Sequence, residues 1–404
     1  MEIAGRLKEN AQDISLEPQR AFLLACLRLG MASLPAQIPT VPPELDWEQF
    51  FRQVVANRVA GLCYLTGKRL SGLWPAEFQE RLQKKRYNDL VQRSHQAEQV
   101  GEALSALGKA GIKPVALKGW AMIETIYGGD YSLRPCDDLD ILVLPQERTT
   151  AEATLVRLGY RALVELWPGQ RLRYGNTAWH YQQHVEIPTR QDGFEIDLHW
   201  GLFNLPYYDA CVPLETVLKR ARPIKVCGAA AWQLCPEDVL LHACGHLGLH
   251  HPHAAELNRF YELAHLVRQA GAELDWTAMA AQASAWKLTA PFQQVVLEME
   301  ADFPGTIPTQ AADILRDLQP APGEARSYRW TVKYHDTPWI ALLPARWTPA
   351  AALMTVGYLF EAFFPSPAFL KWRYGPSRFW PLHYLYRLKN SFGQWSDFRR
   401  NLKK

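Results

Sequence analysis

The 404-residue sequence has no CxxC pair, and its seven cysteines are scattered singly along the chain. An odd number of widely spaced cysteines argues against a disulfide framework. The first ten residues are charged and lack the apolar core of a signal peptide. We therefore expect a reducing, cytoplasmic setting.

The sequence also lacks an apolar run long enough to cross a bilayer. Residues 349–364 come nearest, but they number sixteen and include Glu361, whereas a spanning helix needs about 20 apolar residues. We predict a buried helix there, with Pro349 in its first turn, and no transmembrane segment. A membrane-surface role for this stretch, joined with the C-terminal tail, is the alternative.

Strong net charge is absent too, since the chain carries only +3, a value that argues neither for nor against an anionic partner. The basic residues are nevertheless concentrated at the end, where the last 34 residues hold nine Lys/Arg and one acidic residue. They alternate with aromatics such as Trp372 and Trp395, a pattern that can hold single-stranded nucleic acid. We favour a helical segment that packs its aromatics on the core, with peripheral contact to a partner as the alternative.

The hydrophobic period changes twice along the chain and predicts three parts. Helical periodicity covers 1–110, strands alternate with helices over 111–225, and helical periodicity returns over 226–404. This order predicts a small α/β (α+β) core flanked by helical N- and C-terminal regions.

Two local predictions place the elements around this core. In the N-terminal region, Asp46 should cap a helix that runs to about residue 66, and a longer helix should cover 76–110. In the core, segments 181–187 and 194–200 should form a hairpin around the six residues 188–193.

Acidic residues lie at alternate positions of two predicted strands. Because alternate residues of a strand share a face, Asp138 and Asp140 point one way, and Glu195, Asp197 and His199 share a face of the second strand. Like carboxylates repel each other in a half-buried sheet, so the pattern requires a compensating cation. A solvated strand face is the alternative.

Magnesium is the cation that this donor set favours, because it prefers carboxylate oxygens together with substrate phosphates. We predict that Asp138, Asp140 and Asp197 hold the metal, and a pair of ions about 3.5–4 Å apart can stabilise an in-line displacement. One of these carboxylates can also take a proton from an acceptor.

Donors for the phosphates of a nucleoside triphosphate are found before the first acidic strand. Gly119 follows a short apolar strand and opens a helix, so backbone N–H groups there can face an anion. Lys118 and Arg134 add positive charge on either side. We predict that these three residues bind the cofactor phosphates.

The predicted orientations of two further residues, Asp137 and His184, depend on strand geometry. Alternation turns Asp137 away from the face of Asp138, so we interpret it as a loop acid. If Ile187 pairs with Phe194, His184 lies opposite Asp197 and can orient it or touch a phosphate. A one-residue slip would change the face, and a hairpin surface histidine is the alternative.

Histidines at 242, 246 and 250 form one helical stripe, with His251 and His253 just after them. Two such histidines can bind zinc, but no cysteine or carboxylate completes a clear ligand set, apart from Glu256 nearby. We favour a packed histidine face or a wall of the acceptor pocket.

Together these residues resemble the nucleotidyltransferase superfamily of the DNA polymerase β type, and most closely a largely uncharacterised bacterial family within it. The first motif of the wider superfamily is Gly-Ser, from which Lys118-Gly119 departs. The shared pattern comprises Leu117-Lys118-Gly119, Tyr127, Arg134-Pro135, Asp138-Leu139-Asp140-Ile141-Leu142-Val143, Gly159-Tyr160, His184 and Asp197-Leu198-His199-Trp200.

The resemblance implies a minimal polymerase β-like core with a mixed sheet. It implies that Asp138 and Asp140 bind two magnesium ions and that Asp197 completes the site and assists as base. The implied reaction transfers a nucleoside monophosphate from ATP, or another NTP, to a hydroxyl and releases pyrophosphate.

Two questions stay open at this point. A catalytically degenerate member that binds a nucleotide or a partner protein is the rival to the enzyme. The acceptor can be an antibiotic-like small molecule, a sugar, a protein side chain or an RNA end.

Overall fold

The structure is a computed structural model that describes residues 17–31, 38–160, 184–187, 194–203, 205–250 and 257–334, together with 370, 379 and 381–385. Some predicted features lie outside the described residues. These are the helix at 349–364, most of the basic C-terminal tail, and the histidines at 251 and 253.

In the described residues, helices precede the strands, alternate with them and follow them. The first helices are α1 (Glu17–Gly30), α2 (Trp47–Ala56), α3 (Ala60–Arg69) and α4 (Ala76–Lys109). The middle elements are β1 (Val115–Ala116), α5 (Lys118–Thr125), β2 (Asp138–Leu142), α6 (Arg148–Arg157), β3 (His184–Ile187), β4 (Glu195–His199), α7 (Pro206–Asp209), α8 (Leu214–Arg220), β5 (Arg222–Val226) and β6 (Ala229–Gln233). The last helices are α9 (Pro236–His250), α10 (Leu257–Ala270), α11 (Trp276–Ala285), α12 (Thr289–Asp302), α13 (Thr309–Asp317) and α14 (Pro322–Tyr334).

The six described strands form one mixed sheet in the order β3-β4-β2-β1-β6-β5. Strands β2 and β4 are parallel, as are β1 and β6, and the other three pairs are antiparallel. Helices supply most of the remaining described chain. The predicted α/β (α+β) class, with a mixed sheet and flanking helices, is therefore confirmed.

Alternation along β2 and β4 separates a core face from a polar face. Leu139 and Ile141 of β2 and Ile196 and Leu198 of β4 are fully buried in one hydrophobic cluster, as the sequence predicts. Burial of these aliphatic side chains contributes about 1.5–3 kcal/mol each. It thereby holds the acidic residues on the opposite face of the same two strands.

The N-terminal helices confirm one local prediction and correct another. Asp46 caps α2 by accepting hydrogen bonds from the backbone N–H groups of Glu48 and Gln49. The single helix predicted to reach residue 66 is wrong, because the chain breaks into α2 and α3. The break occurs at Arg58, whose φ of 57° lies in the left-handed region.

The hairpin of β3 and β4 forms, but its predicted register is wrong by two residues. Ile187 pairs with Ile196 rather than Phe194, and His184 therefore pairs with His199 rather than Asp197. A two-residue shift preserves the alternation between faces.

The sheet also includes β5, which ends at Val226, and β6, which begins at Ala229. Both strands lie close to the predicted boundary at residue 225. The three-part boundaries at 110 and 225 stay predictions. In the part of the chain that is described, no helix combines the length and the apolar composition needed to span a membrane.

Candidate metal centre

The parallel pairing of β2 and β4 brings the acidic residues of the two strands side by side. Asp140 is the direct partner of Asp197, and Asp138 is the partner of Glu195. Paired residues of adjacent strands project from the same face of a sheet. Asp140 and Asp197 are 57 residues apart in sequence, and the pairing register of β2 and β4 makes them neighbours.

His199 completes a compact group with these two carboxylates. Its Nε2 lies 3.0 Å from Asp140 Oδ1, and one ligand atom each from Asp140, Asp197 and His199 lies within 4.8 Å of the others. Two carboxylate oxygens and an imidazole nitrogen form a donor set that can hold a divalent cation. Among the residues with described side chains, this is the one such group.

Sequence reasoning placed His199 on the correct face but gave it no role. The sequence indicated that His199 lies beside the acidic residues, because it follows Asp197 by two residues on an alternating strand. The contact of His199 with Asp140 could not be predicted from the sequence, because it depends on the parallel pairing of two distant strands.

The Lys118 ammonium neutralises part of the negative charge at this site. Its Nζ lies 2.9 Å from Asp140 Oδ1, so Lys118 and His199 contact the same oxygen. Burial alone would raise the pKa of Asp140, but the Lys118 charge and the His199 hydrogen bond hold that pKa well below its usual range. These two contacts favour the ionised form of Asp140, although this side chain is only 5% exposed.

Asp138 lies at the start of β2, on the face of Asp140 but outside the three-residue group. Burial, and next the neighbouring Asp140 charge, raise the pKa of Asp138 above its ordinary value. A nearby cation would remove this cost of ionisation. The assignment of Asp138, Asp140 and Asp197 as catalytic and metal-binding residues stays a prediction.

Gly119 lies in the first turn of α5, beside the loop that precedes β2. A Cβ at this position would overlap the sulfur of Cys136 and lie 3.3 Å from Arg134 Nη1. Lys118, immediately before it, has a φ of 44°, a conformation that costs energy for a residue with a side chain. Close packing and an unusual backbone conformation thus coincide where phosphate binding is predicted.

Arg134 reaches towards α10 rather than standing free beside Gly119. Its Nε donates to Glu262 Oε1 at 2.8 Å in a buried ion pair, and Tyr127 Oη donates to the same oxygen at 3.3 Å. Burial would lower the pKa of Arg134, but Glu262 raises it overall. Sequence reasoning missed Glu262, which lies 128 residues away and carries no local signal.

Asp137 points towards the N-terminal helices, in keeping with its interpretation as a loop acid. Its two oxygens contact Arg93 Nη2 at 3.0 Å and Arg58 Nη2 at 3.3 Å. These ion pairs tie the residue before β2 to α4 and to the break between α2 and α3.

The remaining histidine predictions are only partly described. For His184 the structure gives the backbone pairing with His199, so its predicted contact with phosphate stays a prediction. His242 is buried and its ring packs 6.0 Å from that of Phe203 and 6.2 Å from that of His246. Among the histidines whose side chains are described, those of α9 belong to no metal-type cluster.

Comparison with known proteins agrees with this geometry. Residues 43–301, more than half of the chain, match the family described as "Uncharacterised nucleotidyltransferase". The matched region runs from before α2 to the end of α12 and includes every residue of the site. No curated protein matches the chain, and no solved structure matches it.

Proposed function

The chain belongs to the uncharacterised nucleotidyltransferase family, and from this premise we propose that it is a magnesium-dependent enzyme. Its reaction moves a nucleoside monophosphate from an NTP, with ATP the first candidate, to a hydroxyl or similar acceptor. The observation that carries the proposal is the group of Asp140, Asp197 and His199 beside Lys118 on one sheet face.

Asp138, Asp140 and Asp197 are the proposed metal-binding residues, and His199 holds Asp140 in position. The support is the charge balance of the site, since the buried Asp140 and the partly buried Asp138 and Asp197 on adjacent strands need a compensating cation. Two magnesium ions, when bound, would neutralise the negative charge of the triphosphate and of the displaced pyrophosphate. The three carboxylates would determine where the magnesium ions are held.

Lys118, Gly119, Arg134 and His184 are the proposed contacts of the triphosphate. The support is the start of α5 next to the carboxylates, because N–H groups at the beginning of a helix favour an anion. Arg134 is buried and held by Glu262, so it contributes a fixed rather than a mobile positive charge.

The proposed reaction involves the two substrates and the carboxylate of Asp197. The acceptor oxygen forms a bond to the α-phosphorus, the bond from that phosphorus to the bridging oxygen breaks, and pyrophosphate leaves. Asp197, the partly buried member of the group, takes the acceptor proton. Positioning and charge neutralisation supply most of the catalysis in such a transfer.

The rival is a catalytically degenerate member that binds a nucleotide or a partner protein. The intact acidic group argues for the enzyme. The replacement of the superfamily's Gly-Ser by Lys118-Gly119 argues for the rival. The acceptor stays open between a small molecule, a sugar, a protein and an RNA. We also propose a cytoplasmic location for the protein, because its seven cysteines are scattered singly along the sequence.

The function is tested by calorimetry with ATP, with and without magnesium, and by acceptor screening with labelled ATP. We expect magnesium-dependent ATP binding and pyrophosphate release with at least one acceptor class. Asp138→Asn and Asp140→Asn should each lower turnover by about 100-fold or more, because each removes charge needed in the transition state.

Asp313→Asn is the matched control, because Asp313 is exposed on α13 and pairs only locally with Arg316. It should retain wild-type turnover. Circular dichroism checks that every variant is folded. Magnesium-independent ATP binding, with no pyrophosphate released for any acceptor, would favour the non-catalytic rival.

A further inference from the structure

The charge of the site requires a cation even before any substrate is present. Asp138, Asp140 and Asp197 lie on one face of two adjacent strands, and Asp140 is almost fully buried. A buried carboxylate without a compensating charge is strongly unfavourable. The resting protein must therefore supply a positive group of its own.

Lys118 supplies that group. Its ammonium lies 2.9 Å from Asp140 Oδ1, and its side chain is 26% exposed, so it reaches the carboxylate from the solvent side of the core. Asp140 Oδ1 also contacts His199 Nε2 at 3.0 Å. A metal ion that coordinates this oxygen competes directly with the ammonium.

The position of Lys118 in the chain allows it a second partner. It is the first residue of α5, where the N–H groups of a helix favour an anion. Lys118 also lines a small cavity of about 30 Å³ between β1, α5 and α9. Lys118 thus contacts the carboxylate through its ammonium, while its backbone belongs to the first turn of α5, where the phosphate site is proposed.

The backbone of Lys118 indicates that its side chain has a specific role. A φ of 44° is a conformation that glycine adopts at lower cost, and strained residues of this kind cluster at ligand sites. A lysine is present here although glycine would relieve the strain.

We propose that Lys118 is an exchangeable counter-ion, which neutralises Asp140 in the resting protein and moves to the triphosphate when the metal–nucleotide complex enters. This inference rests on the proposed function and adds the order of contacts within that site. Metal and nucleotide then bind cooperatively, because the nucleotide provides a new partner for the ammonium that the metal displaces.

The first test measures Mn²⁺ binding by electron paramagnetic resonance in the absence of nucleotide. Lys118→Met removes the competing ammonium and should bind Mn²⁺ about tenfold more tightly than wild type. Lys118→Gly should do the same and also relaxes the left-handed backbone. It provides a second variant if Lys118→Met folds poorly.

Two controls separate exchange from a general change of charge. Lys109→Met removes the same charge from an exposed position at the end of α4 and should bind Mn²⁺ like wild type. Lys118→Arg retains a cation and should also remain close to wild type. Asp140→Asn should lose Mn²⁺ binding, which assigns the measured ion to this site.

The second test titrates an ATP analogue whose α- and β-phosphates are joined by a methylene group. In the presence of Mn²⁺, Lys118→Met should bind the analogue at least about tenfold more weakly than wild type, so that the two affinities change in opposite directions. Equal or weaker Mn²⁺ binding by both Lys118→Met and Lys118→Gly, without nucleotide, overturns the proposal. So does unchanged binding of the analogue.

Failure of the proposed function gives a different result. If the protein releases no pyrophosphate with any acceptor, the enzyme proposal fails, while the Mn²⁺ and analogue titrations still decide the exchange of Lys118.

Discussion

At the scale of single residues, Gly119 meets two requirements at once. Its N–H lies in the first turn of α5, where an anion is favoured, and its missing side chain leaves room for the sulfur of Cys136. The sequence suggested only the first requirement, because the contact between Gly119 and Cys136 depends on how the loop before β2 folds back. Packing therefore constrains the same residue at which phosphate binding is proposed.

Gly119→Ala should lower the free energy of unfolding by about 1–3 kcal/mol, because the new methyl group overlaps Cys136 Sγ in a packed core. Cys136→Ala should relieve that overlap. The double variant should lose at least about 1 kcal/mol less than the sum of the two single changes, measured by urea denaturation.

Gly108→Ala is the control, since a Cβ there meets no atom within 4 Å. It lies inside α4 and should stabilise the protein slightly, because alanine favours a helix over glycine. Additive losses in Gly119→Ala and Cys136→Ala would show that the two positions do not interact.

At the scale of elements, two helices end in the same way with a basic residue where glycine is usual. Arg58 after α2 and Lys287 after α11 have φ values of 57° and 62°. In each case the backbone N–H groups of this residue and of the next one donate to carbonyls in the last turn of the helix, as in the Schellman motif. Neither end carries glycine or proline, so the sequence did not predict the break after α2.

Arg58→Gly and Lys287→Gly should each raise the free energy of unfolding by up to about 1 kcal/mol, because glycine adopts the left-handed conformation at less cost. The gain should be smaller for Arg58→Gly, which also loses its ion pair with Asp137. Chemical denaturation of both variants measures the difference. Destabilisation by Lys287→Gly would contradict this account of the helix end.

Strands were predicted well where the information is local. Alternation in β2 and β4 identified the buried and polar faces, because each aliphatic residue must reach the core from its own strand. The register of β3 against β4 was wrong by two residues, because the loop at 188–193 is too long to determine the pairing. A shared metal site for Asp140 and Asp197 was predicted on chemical grounds. Their direct pairing on parallel strands was not predicted, because periodicity contains no information about it.

At the scale of the whole molecule, one buried ion pair joins the sheet region to the C-terminal helices. Arg134 lies in the loop before β2, and Glu262 lies on α10. The sequence predicted a cationic role for Arg134 but could not identify its partner, because no periodic pattern relates residues so far apart. The pair holds the loop before β2 against α10.

Glu262→Gln should lower the free energy of unfolding by about 3–5 kcal/mol, because it leaves the buried Arg134 charge without its partner. Arg134→Met combined with Glu262→Met should cost less than the sum of the single changes, since the double variant buries no charge. Urea denaturation of the single and double variants measures the coupling.

Glu273→Gln is the matched control, because Glu273 forms an exposed ion pair with Arg222. It should cost less than about 1 kcal/mol. A similarly small cost for Glu262→Gln would mean that the buried pair does not join the two regions energetically.

The parallel pairing of β2 and β4 also determines when the candidate site comes into existence as the chain folds. Asp140 is synthesised well before Asp197 and His199, and the long connection between the strands must close before they meet. Such non-local pairing forms slowly, so an unfinished sheet has no complete set of donors. A divalent cation bound across the two strands would therefore stabilise only the completed sheet. The candidate metal site is thus formed in the same step in which β2 and β4 pair.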